Sequence, residues 1–122
     1  MAKTIMIVDD SATLRQVVSI ALKGAGYDVI EGCDGKDALA KLTGQKVHLI
    51  VSDVNMPNMD GITFVQEVKK LPAYKFTPVI MLTTEAGEDK KAAGQAAGAK
   101  AWVVKPFKPD QMLTAVSKLI LP

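Results

Sequence analysis

The 122-residue chain has one cysteine, one tryptophan and one histidine. None of its apolar runs approaches the ~20 residues of a membrane span. With Cys33 alone, no internal disulfide can form, which fits a reducing compartment; Cys33 itself reads as a small, partly buried core residue rather than a reactive thiol. Residues 1–8 are too short for a signal peptide, so a cytoplasmic location away from membranes is expected. Aromatics make up only 5% of the chain, so the core must come from Val, Ile, Leu, Met and Ala. A net charge of +2 argues against nucleic acid as a partner. The lysines are spread along the chain, and the Lys69-Lys70 pair is expected on a solvated helix face.

What is present is globular in balance: 48% hydrophobic and 23% charged residues. Short apolar runs at Thr4–Val8, Tyr27–Ile30, Val47–Ser52, Pro78–Thr83 and Ala101–Val104 alternate with helical patterns. Ile5-Met6-Ile7-Val8, Leu49-Ile50-Val51 and Val79-Ile80-Met81-Leu82 are apolar throughout, as in strands covered on both faces of a parallel sheet. Asp28-Val29-Ile30-Glu31 alternates more and reads as an edge strand. Helices are predicted over about 11–25 (Leu14, Val17, Val18, Ala21 and Leu22 inward), 35–42 (capped by Asp34), 62–70, 88–97 and 109–120 (Met112, Val116 and Leu119 inward). Gly24 and Gly26 stop the first, and Gly98 the fourth. Five strands alternating with five helices predict an α/β, doubly wound, flavodoxin-like fold with parallel strand order 2-1-3-4-5. No linker or repeat interrupts it, so residues 1–122 are expected to form a single domain without an output domain.

Open α/β sheets bind ligands beyond the carboxyl ends of their strands. There the sequence places Asp9 and Asp10, then Asp53, then Thr83 and Thr84, then Lys105 and Pro106. Strands 1 and 3 are neighbours in the predicted order, ~4.8 Å apart, so three carboxylates crowd together and repel unless a cation lies between them. Oxygen-only ligands in an incomplete cage favour Mg²⁺, and Lys105 adds a second positive charge. Such a site suits phosphoryl transfer to a carboxylate. Each piece alone has a plainer reading. Asp9-Asp10 before Ser11 fits a helix-capping cluster, Asp53 a loop aspartate, Thr83 a strand-end hydroxyl and Lys105-Pro106 a turn. Their convergence on one sheet edge selects the chemical reading. His48, ahead of the third strand, reads as structural.

These residues carry a resemblance to response-regulator receiver domains of two-component signalling along nearly the whole chain. The carriers are Val8-Asp9-Asp10-Ser11, Ser52-Asp53-Val54-Asn55-Met56-Pro57 with Asp60-Gly61, Leu82-Thr83-Thr84 and Val104-Lys105-Pro106-Phe107. The resemblance implies that Asp53 accepts a phosphoryl group from a histidine kinase. Asp10 and Asp53 would bind Mg²⁺ directly, Asp9 through water, and the Asn55 carbonyl would complete the shell. Thr83 and Lys105 would meet the phosphoryl oxygens, the Lys105-Pro106 bond would be cis, and Gly61 would permit a tight loop after the acceptor. Asn55 and Glu85, each two residues past a site residue, would tune phosphoryl lifetime. Together with the lack of an output domain, they look like a monomeric chemotaxis regulator of the CheY kind. That implies autodephosphorylation rather than enzyme turnover, and a phosphatase partner. It also implies a flagellar motor switch target on the face of helix 4, strand 5 and helix 5. Trp102 stands where the family carries a smaller aromatic switch residue; a packed aromatic is the other reading. Gly87 and Gly94 weaken the fourth helix, from mobility or from close packing.

Three rivals remain. A phosphorelay carrier or phosphate sink would share the same site. A flavin carrier would need a Ser/Thr/Gly-rich loop where Asp9-Asp10 stand. An aspartate phosphatase would place its acceptor after the first strand.

Overall fold

Every strand of the sheet splits its apolar run between two cores. In the computed structural model, which describes residues 3–54, 56–83, 95–105 and 108–120, the strands are β1 (Thr4–Val8), β2 (Asp28–Gly32), β3 (Leu49–Asp53), β4 (Val79–Thr83) and β5 (Ala101–Val104). All pair in parallel, in the order β2-β1-β3-β4-β5. The helices are α1 (Ala12–Gly24), α2 (Gly35–Lys41), α3 (Gly61–Lys70), helical residues 95–97 (α4) and α5 (Pro109–Leu119). This is the doubly wound, flavodoxin-like arrangement that the sequence predicts.

Because side chains alternate along a strand, Ile5, Ile7, Leu49, Val51, Ile80 and Leu82 face α1 and α5, where Val18, Leu22, Met112 and Val116 close one core. Met6, Val8, Ile50, Val79 and Met81 face the other way, onto Ala38, Phe64, Val65 and Val68 of α2 and α3. The core residues on the three central strands are almost fully excluded from solvent, which is why their runs lack polar alternation. β2 lies at an edge and keeps its exposed Asp28 and Glu31.

The helices begin and end where local chemistry dictates. Ser11, Asp34 and Asp60 each cap a helix by accepting the N–H three residues on. Pro109 opens α5 at a position that needs no amide hydrogen. Gly26 and Gly98 take the left-handed conformation just past a helix end.

Several expectations are corrected. β2 runs on to Gly32, because Glu31 and Gly32 still pair with Ile7 and Val8. β3 includes Asp53, which pairs with Leu82, so the acidic residue ends the strand rather than following it. Val17 is 48% exposed, on the flank of the α1 stripe formed by Leu14, Val18 and Leu22. Cys33 is exposed because it leaves the edge strand β2 for the loop before α2. Lys69 is half-buried, not solvated: its Nζ donates to the Thr77 carbonyl and its stem packs against Gly98. Burial, and then the Lys100 charge, hold the Lys69 pKa below its ordinary value. His48 has the partner that the pattern did not show, since its Nδ1 accepts the Thr4 N–H at 3.0 Å. Residues 84–94 lie outside the described residues, and with them Gly87, Gly94 and most of the predicted fourth helix.

Candidate functional site

The parallel register of β1, β3, β4 and β5 brings Asp9, Asp53, Thr83 and Lys105 to one edge. Asp9 and Asp53 are buried and Asp10 is exposed. One carboxylate oxygen from each of Asp9, Asp10 and Asp53 lies within 4.8 Å of the others. Lys105 Nζ reaches between two of them, 3.1 Å from Asp9 Oδ2 and 3.3 Å from Asp53 Oδ1. The ammonium can approach because the Lys105 N–H is tied to the Thr83 carbonyl at 2.6 Å, continuing the strand pairing past Val104.

The two buried carboxylates are also fixed from their own loops. Asp9 Oδ1 accepts the Ser11 N–H at 2.8 Å, and the Asp9 N–H donates to the Gly32 carbonyl at 3.1 Å. Asp53 Oδ1 accepts the Val54 N–H at 2.9 Å. Burial raises the Asp53 pKa above its ordinary value and the Asp9 charge raises it further; Lys105 and the Val54 N–H oppose this without cancelling it. One lysine against three acids leaves the site short of positive charge. The donors are all oxygen and one of them faces solvent, which fits a hard cation such as Mg²⁺ that keeps part of its water shell.

The sequence anticipates this convergence and Gly61, but misses two supports and the reason for the glycine. Arg15 Nη1 donates to the Asp9 carbonyl at 2.5 Å, while its Nε lies 3.4 Å from Glu31 Oε1. Its signal was faint: a lone arginine one turn into α1. Gly61 is needed for closeness rather than for an unusual backbone angle, as a Cβ there would meet the Asp53 carbonyl oxygen at 2.0 Å. Asn58, with φ 66°, reaches Asp34 from the loop after Asp53. Asn55, Glu85, Thr84 and Pro106, with the Lys105-Pro106 bond, lie outside the described residues. Trp102 packs on the α2–α3 core with its indole Nε1 buried and without a hydrogen-bond partner among the described residues.

This geometry defines a class. Residues 5–117 match the response regulator receiver domain, and the chain belongs to that family. Among curated relatives, protein PilG of Pseudomonas aeruginosa is 39% identical over 112 residues, spanning 92% of this chain and 83% of that protein. Chemotaxis protein CheY1 of Helicobacter pylori is 36% identical over 108 residues, 87% of each chain. Among solved structures, chemotaxis protein CheY4 of Vibrio cholerae superposes with a TM-score of 0.94 at 45% identity, covering 98% of this chain and 99% of that one. None of the described helices is long and apolar enough to cross a membrane.

Proposed function

We propose that the chain is a phosphorylation-controlled switch in which Asp53 accepts a phosphoryl group from a histidine kinase. The observation that carries this reading is Lys105 Nζ set between Asp9 and Asp53, beside the exposed Asp10.

Asp9, Asp10 and Asp53, with the backbone carbonyl of Asn55, would hold Mg²⁺. Bound there, the ion would neutralise the charge on the transferring phosphoryl oxygens. The chain's own groups do the rest. Among the described residues the contacts of the Asp53 carboxylate with the Val54 N–H and Lys105 Nζ both fall on Oδ1, so Oδ2 is the oxygen that attacks phosphorus as the bond to the donor breaks. Lys105 pairs with an incoming oxygen and the Thr83 hydroxyl with another. Asn55 and Glu85 tune how long the acyl phosphate lasts before water removes it, and a phosphatase partner shortens that time. Thr83 and Trp102 pass the change to the face of α4, β5 and α5.

Similarity to the chemotaxis proteins CheY1 and CheY4 supports a chemotaxis-type output; on this reading the chain is a monomer in the cytoplasm with a flagellar motor switch protein as its target. The test of this output is capture of a motor switch protein by the wild type, with and without a beryllium-fluoride phosphoryl mimic and Mg²⁺. Capture that depends on the mimic supports it. Binding that ignores the mimic contradicts it.

A further inference from the structure

Between β3 and α3 the chain turns through Pro57, Asn58 and Met59. The Met59 N–H donates to the Pro57 carbonyl at 2.7 Å, which makes Asn58, at φ 66°, the centre of a three-residue turn. Among the described residues Asn58 is the one non-glycine with positive φ. Three-residue turns of this hand are rare and strained, and strained backbone persists only where its surroundings over-determine it.

Two contacts from α2 do so here. Asn58 Nδ2 donates to Asp34 Oδ2 at 2.8 Å, across 24 residues of sequence. The Met59 side chain lies against Gly35, where an added Cβ would meet Met59 Cγ at 2.8 Å. Neither contact is needed to start a helix. Asp34 caps α2 through its other oxygen, which accepts the Asp37 N–H at 2.8 Å, and α3 has its own cap in Asp60. The Asp37 N–H and then the Asn58 amide hold the Asp34 carboxyl below its ordinary pKa, so it accepts both bonds as a carboxylate. At its base the loop is closed by the Gly61 N–H on the Val54 carbonyl at 2.8 Å. Val54 and Gly61 are therefore tied at the base, and Asn58 and Met59 at the tip, among the described residues after Asp53.

We propose that Asn58 and Asp34 are positioning residues for phosphoryl transfer to Asp53, acting as a clamp that holds in register the strained turn that follows the acceptor in the chain. The proposal rests on the reading of Asp53 as that acceptor.

Two variants open the clamp by different routes. Asp34→Ser keeps a capping oxygen for Asp37 but is too short to reach Asn58. Asn58→Gly keeps the left-handed turn and removes the amide. The intact protein is phosphorylated with acetyl phosphate and Mg²⁺, and the rate at saturating donor is separated from the donor concentration giving half that rate. Each variant is expected to lower the saturating rate about tenfold, as loss of groups that orient reactive ligands does. The half-saturating concentration should stay unchanged, and the double variant should be no slower than the slower single one. Unchanged rates in both variants overturn the clamp, as do losses that multiply in the double variant or that merely follow the melting temperature. Wild-type protein that gains no phosphoryl group on Asp53 overturns the acceptor reading and the clamp with it, and mass spectrometry separates that failure from the others.

Discussion

Gly61 lies against the backbone of Asp53 so closely that a Cβ on it would sit 2.0 Å from the Asp53 carbonyl oxygen and 2.9 Å from its carbonyl carbon. A backbone oxygen at the end of a central strand cannot swing aside as a side chain can. Gly61→Ala must therefore move either the start of α3 or the acceptor itself. The expected cost is about 2–3 kcal/mol of stability, at the upper end for overpacking, with slower phosphorylation of Asp53. Urea unfolding and phosphorylation kinetics on one preparation check both.

Lys105 offsets part of the repulsion between Asp9 and Asp53. Lys105→Met should destabilise the Mg²⁺-free protein at neutral pH by about 2–4 kcal/mol, since two buried carboxylates lose their cation. The same change removes a like charge from beside the cation site, so Mg²⁺ should bind more tightly even as phosphoryl transfer slows. Calorimetric titration with Mg²⁺ reads the first effect and phosphodonor kinetics the second.

Trp102 keeps its indole N–H buried without an acceptor among the described residues. An unmade buried hydrogen bond costs about 1–3 kcal/mol, roughly offsetting what the larger ring gains over a phenyl group by burial. Trp102→Phe should therefore change stability by less than about 1 kcal/mol. Denaturant midpoints read by far-UV circular dichroism test this without the lost fluorophore.

The Asp34 carboxyl has a folded-state pKa below its ordinary value of 3.8. Stability from its ionised form is then fully present above that value and is lost as pH falls through the folded pKa. The advantage of wild type over Asp34→Asn should be constant near neutrality and shrink in strong acid. Thermal melts of both proteins between neutral pH and the acid limit of folding would show it.

Much of this was legible because strands buried on both faces write their own signature. The runs Ile5–Val8 and Val79–Leu82 have no polar interruption, and the register then delivers Asp9, Asp53, Thr83 and Lys105 to one edge. What escaped the sequence depends on contacts between distant segments. Val17 carries the same apolar character as Val18, yet only packing decides that it sits on the helix flank at 48% exposure. Lys69 looks like a surface lysine until the Thr77 carbonyl and Gly98 close over it. Arg15 and Asn58 serve the site through backbone carbonyls and a distant cap, for which single residues leave little mark.

The most direct measurement is mass spectrometry of the intact protein after treatment with acetyl phosphate, with and without Mg²⁺, beside Asp53→Asn. One phosphoryl group on Asp53 of the wild type, formed only with the ion present and missing from the variant, is the predicted result. Equal phosphorylation of the variant, or phosphorylation indifferent to Mg²⁺, would contradict it.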